Sequence, residues 1–146
     1  MNEYVVWHDD YSVGLEQIDA HHRLILRIIN NVYAAMRTGD ADGTVKKFLG
    51  DLKTYTVIHF HFEESIIRAA GYPGDLLDEH CAVHRKMTAK TTALVTDWEH
   101  ERTLPQEALD FLKQWWITHI RKKDMEYAPW VRENREMFEG VTAEGI

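Results

Sequence analysis

Apolar residues recur at alternating steps of three and four along most of the chain, which is the spacing of helices with one buried face. Prolines occur only at positions 73, 105 and 129, and no strand-like pattern competes with the helical one. The spacing predicts four helices: from Ile18 or Asp19 to just before Gly39, from about Thr44 to Ala70, from about Leu76 to His100, and from about Pro105 to about Lys123.

Short polar or glycine-rich segments separate these helices. Asp19 is expected to cap the first helix and Gly39 to end it. The segment "GYPGD" at 71–75 stops the second helix, and Pro105 suits the first turn of the fourth. Because short connections place consecutive helices side by side, the sequence predicts an all-α fold: an antiparallel, up-down-up-down four-helix bundle.

The chain has 146 residues, which is close to the usual size of one domain. We therefore expect residues 1–146 to form a single domain, with a core at about 18–124 and an N-terminal loop at 1–17. The C-terminal extension at about 128–146 is expected to be a short extra helix, an oligomer contact or a segment that docks a partner.

Composition and charge narrow the classes of partner. No apolar run approaches the ~18 residues that a membrane span needs, so no span is expected. A formal charge of -7 disfavours binding to nucleic acid. The opening "MNEYVVWHDDY" lacks the features of a secretory signal, which makes the cytoplasm the expected location. Cys81 is the only cysteine, so metal binding would have to use His, Asp and Glu.

Histidines lie on the inward-facing apolar stripe of every predicted helix. The stripe histidines are His22 on the first helix, His59 on the second, His80 and His84 on the third, and His119 on the fourth. The histidines outside the stripes, which we expect on the surface or at helix caps, are His8, His21, His61 and His100.

Two carboxylates accompany the stripe histidines. The stripe of the second helix runs Val45, Phe48, Leu52, Tyr55, His59, Phe62 or Glu63, Ile66 and Ala70. Glu63 shares the face of His59, whereas Glu64 is rotated by about 100° and borders it. On the fourth helix the stripe runs Ala108, Leu112, Trp115 and His119. Asp124 follows His119 by five residues, about 140° of rotation, so either the helix frays near Lys123 or Asp124 reaches in from its end.

Five imidazoles and two carboxylates in one small core need partners. Unpartnered ionisable groups cost several kcal/mol each, against a typical net stability of ~5–15 kcal/mol. A metal ion supplies partners, and imidazole suits Fe, Zn, Cu or Ni. Because seven ligands exceed the needs of one tetrahedral zinc, the sequence predicts two ions bridged by Glu63 and Asp124.

Four motifs carry a resemblance that spans roughly residues 7–128. They are "WHDDYSVGLEQIDAHH" at 7–22, "HFHFEE" at 59–64, "GYP" followed by "HCAVH" within 71–84, and "WWITHIRKKDMEY" at 115–127. The ordered set of a lone H, H-x-x-x-E, H-x-x-x-H and H-x-x-x-x-D is specific as a whole, although each member alone is weak. The chain resembles the hemerythrin family, specifically its small single-domain bacterial members.

The resemblance implies a non-haem di-iron centre. It implies that one iron is bound by His80, His84 and His119 and the other by His22 and His59. Glu63 and Asp124 would bridge the two ions together with a solvent-derived oxo or hydroxo group. The oddly spaced final pair is the rule in this family, which favours Asp124 reaching in. The two-histidine iron would be five-coordinate and would keep one open position.

The function implied by the resemblance is reversible dioxygen binding, end-on at the open position as a hydroperoxide, for storage, delivery or sensing. Neutral imidazoles outnumber carboxylates in this core, which also favours oxygen binding over oxygen activation. We therefore expect a protein that is not an enzyme, beyond weak oxidase or peroxidase activity. The alternatives are a di-iron redox enzyme that reduces dioxygen, peroxide or nitric oxide, an iron-handling protein, and a helical interaction domain.

Apolar residues are expected to wall the site and limit the entry of water. The wall predicted around His22 and His119 comprises Ile25, Phe111, Trp115, Trp116 and Ile117, although ordinary core packing is an equally good account of each residue. His21 stands where the family more often has Gln, and Trp116 where a Leu is common. Cys81 is rotated away from its ligand neighbour, so we expect it to pack and not to coordinate.

Overall fold

The computed structural model describes residues 3–38, 42–101 and 103–137. Its helices are α1 (Glu16–Arg37), α2 (Asp42–Ala69), α3 (Gly74–Glu101), α4 (Gln106–Thr118), a π-helical turn (His119–Lys123) and α5 (Asp124–Glu133). Single 3₁₀ turns lie at Asp9–Tyr11 and Arg135–Met137, and the described ranges contain no strand. The expected role of Gly39 and the extension beyond Met137 fall outside these ranges.

The predicted all-α four-helix bundle is confirmed. α1 packs against α2 and α4, and α2 packs against α3. The fourth rod of the bundle is longer than predicted, because α4, the π-helical turn and α5 follow one another without a break to Glu133. Among the helices of the described ranges, none is long and apolar enough to cross a bilayer.

Two apolar clusters fill the bundle, one on each side of a polar layer. On α1, Ile18 belongs to one cluster and Ile25 to the other, and His22 lies between them. On the fourth rod, Trp116 and Tyr127 belong to opposite clusters and flank His119 in the same way. The apolar stripes thus enclose the polar residues at mid-height of the bundle.

The start of α1 differs from the prediction. The helix begins at Glu16, so Asp19 lies inside its first turn and is not its cap. The Asp19 carboxylate is buried, and it accepts hydrogen bonds from the Val13 N–H at 2.9 Å and the Ser12 hydroxyl at 2.5 Å. Asp19 therefore holds the preceding N-terminal loop against α1.

Two aromatic residues face outward where the sequence predicted otherwise. Tyr55 is 39% exposed, and its neighbour Thr56 is buried instead. Phe111 is also 39% exposed, whereas Trp116 is fully buried and takes the central place predicted for Trp115. Tyr55 was misplaced because steps of three and of four from Leu52 both continue a helical stripe, and the buried residue is the one four positions on, Thr56. Phe111 was assigned to the wall around the site and does not lie on the predicted stripe.

The chain ends are tied to the bundle by hydrogen bonds. Asn30 on α1 pairs with the backbone of Val5 in both directions, at 2.9 Å and 2.8 Å. At the other end, the Arg132 Nε–H donates to the Val13 carbonyl at 3.0 Å, and the Trp130 indole N–H donates to the Ala70 carbonyl at 2.6 Å. The described part of the C-terminal extension continues the fourth rod in α5 to Glu133 and then forms the 3₁₀ turn Arg135–Met137.

Candidate metal centre

Seven buried side chains converge between the two apolar clusters, and none is more than 5% exposed. These residues, which we call the seven-residue cluster, are His22, His59, Glu63, His80, His84, His119 and Asp124. We call His22 and His59 the two-histidine group, and His80, His84 and His119 the three-histidine group. The structure thus brings together all the residues that the sequence singled out.

A π-helical turn brings Asp124 into the cluster. The Asp124 N–H donates to the carbonyl of His119, five residues earlier, and the turn spans His119–Lys123. A π turn places residues i and i+5 on one face, whereas an α-helix would rotate them apart. The His119 Nε2 and Asp124 Oδ1 atoms therefore lie 3.2 Å apart. The expectation that the helix frays is wrong, and the alternative, that Asp124 reaches the site, holds through this turn.

The Glu63 carboxylate lies between the two histidine groups. Its Oε2 atom is 3.2 Å from the His59 Nε2 and 3.6 Å from the His22 Nε2. Its Oε1 atom is 2.8 Å from the His80 Nε2 and 3.1 Å from the His84 Nε2. One oxygen thus faces each group, which is the arrangement that a carboxylate bridging two ions would need.

The Asp124 carboxylate is divided in the same way. Its Oδ2 atom is 3.2 Å from the His22 Nε2. Its Oδ1 atom is 3.2 Å from the His119 Nε2 and 3.4 Å from the His80 Nε2. Despite these short distances, neither oxygen makes a hydrogen bond of proper geometry with any described residue. The buried charge of Asp124 is thus left for another partner.

The ring nitrogens of the cluster also face one another. The Nε2 atoms of His22 and His59 are 3.0 Å apart, and those of His84 and His119 are 3.3 Å apart. As a hydrogen bond, each contact needs a proton on one Nε2 and a lone pair on the other; where both rings carry their proton on Nδ1, two lone pairs face each other instead. A metal ion accepts both lone pairs, so this donor set fits a metal better than it fits hydrogen bonding alone.

Two subsets of ligand atoms are compact enough to hold an ion each. The ligand atoms in each subset lie within 4.8 Å of one another. One subset contains Glu63, His80, His84, His119 and Asp124, and the other contains His22, His59 and Glu63. Glu63 is common to both. Imidazole nitrogens with a minority of carboxylate oxygens suit a borderline transition metal such as iron.

Burial and the two carboxylates shift the pKa values of the histidines in the seven-residue cluster. Burial alone would lower the pKa of His22, but the Asp124 and Glu63 carboxylates beside its Nε2 outweigh burial and raise the pKa to about 9. The same balance raises the pKa of His80 to about 10. Burial and the nearby charge of His22 lower the pKa of His59 to about 4. Without a metal, protons on His22 and His80 would thus balance the two carboxylates.

Outer contacts hold three of the seven residues in place. The Tyr127 hydroxyl, fully buried, donates to the Glu63 Oε2 at 3.0 Å. The Glu64 Oε2 lies 2.7 Å from the His84 Nδ1. The sequence placed Glu64 only at the border of the stripe and gave Tyr127 no role. Their one signal was position, because each lies within four residues of a cluster member.

His21 is the third outer contact, and its predicted place on the surface or at a cap is wrong. The side chain is only partly exposed, and its Nδ1 atom lies 3.2 Å from the Nδ1 of His59. Burial, together with the nearby charge of His22, lowers the pKa of His21 and favours its neutral form. The other off-stripe histidines, His8, His61 and His100, are exposed as predicted.

Aromatic rings line the seven-residue cluster on the side of the larger apolar cluster, which contains Ile25 and Trp116. Phe60 stacks on His84, with ring centroids 3.8 Å apart, and Trp115 stacks on His119 at 4.4 Å. The ring centroids of Trp116 and His59 are 6.0 Å apart. The predicted wall was wrong in one member, because Phe111 points outward, and it missed Phe60. The phenyl ring of Phe60 escaped notice because a strict stripe passes from His59 to Glu63.

Cys81 takes no part in the cluster. The residue is buried, but it belongs to neither compact subset of ligand atoms. Burial, reinforced by the nearby Glu64 carboxylate, raises the pKa of the thiol to about 11. Metal binding by cysteine requires the thiolate. The expectation that Cys81 packs against its neighbours therefore agrees with its environment.

The chain is similar to known proteins over a range that includes every residue of the seven-residue cluster. A family model described as "Hemerythrin HHE cation binding domain" matches residues 13–131. A bacteriohemerythrin of Stenotrophomonas maltophilia (strain R551-3) is 29% identical over 138 residues, 92% of this chain and 86% of that protein. A myohemerythrin of Riftia pachyptila is 30% identical over 122 residues, 84% of this chain and 89% of that protein.

Similarity extends to solved structures. A crystal structure of a hemerythrin with a leucine-to-tyrosine substitution superposes with a TM-score of 0.80 at 25% identity. The superposition covers 89% of this chain and 98% of the other. The similarity therefore includes the bundle as a whole and is not confined to the polar layer.

Proposed function

Because the chain belongs to the hemerythrin HHE cation-binding family, we propose that its seven-residue cluster holds two non-haem iron ions and binds dioxygen reversibly at them. The three-histidine group would hold one ion and the two-histidine group the other. Glu63 and Asp124 would be shared between them. This assignment takes all seven residues as metal ligands.

The observation that carries this proposal is the division of both carboxylates. Each of Glu63 and Asp124 directs one oxygen to the two-histidine group and the other to the three-histidine group. A site for a single ion would not need two carboxylates that each direct their oxygens to two different histidine groups. The unpaired oxygens of Asp124 and the facing imidazole nitrogens support the same proposal.

The two groups differ in their number of protein ligands, and that difference sets where a small molecule can bind. With two shared carboxylates, an ion held by the two-histidine group would have one protein ligand fewer, so dioxygen would bind there, in the end-on mode that the resemblance implies. Two ferrous ions would supply the two electrons that dioxygen takes up on binding and gives back on release.

The surrounding residues would position the ligands and exclude water. Tyr127 holds the Glu63 carboxylate from behind, and Glu64 holds the His84 ring. Trp116 and Ile25, both buried, close the apolar side of the two-histidine group. An apolar enclosure favours reversible binding because it keeps out the water and protons that oxidative side reactions require.

We infer a role in oxygen storage, delivery or sensing, without an enzymatic step. The relatives named above are a bacteriohemerythrin and a myohemerythrin, and their names support this class of function. The cluster holds five neutral-type ligands and two carboxylates, which resembles an oxygen carrier more than a carboxylate-rich oxidase centre. A cytoplasmic location stays a prediction from the sequence.

The test is an oxygenation cycle followed by absorption spectroscopy. The iron-loaded, reduced protein is scanned before exposure to dioxygen, after exposure, and after the gas has been removed under vacuum. We expect an absorption band that appears on exposure and disappears on removal, over repeated cycles. Steady consumption of dioxygen with a reductant would favour a redox enzyme, and rapid loss of iron to a mild chelator would favour iron handling.

A further inference from the structure

His21 contacts the seven-residue cluster from outside, next to the two-histidine group. The residue lies on α1 beside His22, and its ring meets the His59 ring edge-on, with centroids 5.3 Å apart. The two Nδ1 atoms are 3.2 Å apart, which is the distance of a hydrogen bond. His21 also packs against Phe62, with centroids 4.9 Å apart.

The direction of this hydrogen bond follows from the orientation of His59. Its Nε2 atom faces the interior of the cluster, 3.2 Å from Glu63 and 3.0 Å from the Nε2 of His22. A metal ligand must offer a lone pair there, so the ring proton of His59 sits on Nδ1. The His59 Nδ1–H therefore donates, and the Nδ1 of His21 accepts, which places the proton of His21 on its Nε2.

The corresponding contact in the three-histidine group has a different charge. The outer nitrogen of His84 meets the carboxylate of Glu64, an anion, whereas that of His59 meets a neutral ring. The outer nitrogens of His22 and His80 have no hydrogen-bond partner among the described residues. Each histidine group thus has one ring held from behind, by partners that differ in charge.

We propose that His21 is a positioning residue for the two-histidine iron: it orients the His59 ring through a neutral acceptor, and so keeps that ligand less electron-donating than a carboxylate partner would. A hydrogen-bond acceptor behind a ligating histidine fixes its tautomer and raises its basicity. An anionic acceptor raises the basicity further, which favours the oxidised metal. This inference rests on the proposed function, because it takes His59 as an iron ligand.

The surroundings of His21 allow this role to be tested by substitution. The side chain borders a groove of about 160 Å³ between α1 and α2, which Leu24, Tyr55 and Ile58 also line. Tyr55 and Ile58 are more than a third exposed. A replacement at position 21 therefore meets solvent-facing neighbours on that side, and the bundle should keep its fold.

The experiment compares three variants of the full chain with the wild type. His21→Gln keeps an acceptor in the amide oxygen, His21→Leu removes the acceptor at similar size, and His21→Glu supplies an anionic one. His61→Leu is the matched control, because His61 is an exposed histidine on α2. Circular dichroism checks the fold, iron release to a chelator reports on the affinity of each ion, and spectroelectrochemistry gives the midpoint potential.

We expect His21→Leu to release one of its two ions roughly 10–100-fold faster than the wild type, which is the usual cost of losing such a partner. His21→Gln should restore slow release, and His21→Glu should shift the midpoint potential to a more negative value with both ions kept. His61→Leu should match the wild type in every measurement.

Two results would overturn the inference while leaving the proposed function intact. One is wild-type release kinetics and potential in both His21→Leu and His21→Glu. The other is equal loss in His21→Gln and His21→Leu, which would show that the ring matters only for packing. A wild-type chain that fails to hold two iron ions would instead refute the proposed function itself.

Discussion

His119 and Asp124 lie five residues apart, yet their side chains meet at 3.2 Å because the helix between them makes a single π turn. Single π turns inside α-helices are rare, and they are frequent at functional sites. The turn directs the short Asp124 side chain into the seven-residue cluster, between the two histidine groups. Asp124 is therefore the residue whose place depends most on local backbone geometry.

Replacing Asp124 by Asn should weaken the binding of both ions. The change keeps the size of the side chain and the π turn, but it removes the negative charge that the two groups share. We expect a loss of iron affinity at least as large as the roughly 10–100-fold cost of losing an outer partner. Iron per chain, measured after dialysis against a weak chelator, should fall below two.

The matched control for this change is Glu126→Gln, on the exposed side of the same helix. The control should keep the iron content of the wild type. If Asp124→Asn also kept both ions, Asp124 would not be a shared ligand.

Replacing His84 by Ala should affect one ion more than the other. His84 belongs to the three-histidine group alone, so its loss should release the ion of that group first. His61→Ala removes an exposed histidine of α2 and should leave both the iron content and the absorption spectrum unchanged. Metal analysis together with the optical spectrum distinguishes these outcomes, and the reverse pattern would contradict the assigned facing of the two residues.

Replacing Tyr127 by Phe should destabilise the metal-free protein. The Tyr127 hydroxyl donates to the Glu63 Oε2 at 3.0 Å, and both groups are buried. A hydrogen bond to a charged group contributes about 1.5–3 kcal/mol, so chemical denaturation should show a loss of that size. In the metal-loaded protein the same change should loosen iron, because Glu63 loses its support.

Tyr55→Phe is the control for this measurement, since Tyr55 is 39% exposed on the same helix as Glu63. Its effect should stay within about 0.5 kcal/mol, as for most surface changes. Equal effects of the two substitutions would mean that the contact between Tyr127 and Glu63 contributes nothing.

The metal-free protein should lose stability in alkali. The folded protein raises the pKa of His22 to about 9 and that of His80 to about 10, from 6.5 in the unfolded chain. A raised pKa adds stability that is fully present below pH 6.5 and disappears as the pH rises through 9 to 10. Denaturation midpoints of the metal-free protein should fall over this range.

At low pH, the metal-free protein should lose stability through groups whose pKa is lowered, not raised, in the folded state. The pKa values of Glu63 and Asp124 are held below their usual 4.5 and 3.8, which adds stability that is lost as the pH falls below those values. The pKa of His59, lowered to about 4 from 6.5, costs stability as the pH falls between those limits. The metal-free protein should therefore be most stable close to pH 6.5.

Metal loading should remove the alkaline loss, because iron replaces the protons on His22 and His80. The difference in melting temperature between the loaded and metal-free proteins should grow from pH 6.5 to pH 10. A metal-free protein that melts at the temperature of the loaded one throughout this range would contradict the link between metal and fold.

The apolar periodicity predicted the bundle and the facing of the cluster histidines, because burial of one helix face depends on residue spacing alone. The spacing of the apolar stripes was sufficient to place His22, His59, His80, His84 and His119 on buried helix faces, where the structure also has them. Glu63 followed from its four-residue distance to His59. These predictions succeeded where the helices are regular.

Apolar periodicity does not predict contacts where the backbone departs from an ideal helix or where a residue lies away from the centre of a stripe. The π turn that serves Asp124 leaves no trace in the apolar pattern, since it alters the backbone and not the residue types. His21 and Glu64 lie one step, about 100°, away from a residue of the seven-residue cluster, so periodicity places His21 outside the stripe and Glu64 only at its border. Their contacts depend on how closely α1, α2 and α3 approach, which a single sequence does not specify.

An anaerobic titration of the metal-free protein with ferrous iron tests the central claim most directly. The absorbance or fluorescence of the folded protein is followed as iron is added, and bound metal is measured at each step. We predict that binding ends at two ions per chain, and that both ions bind more weakly when Asp124 is replaced by Asn. An end point at one ion per chain, or no binding at all, would contradict it.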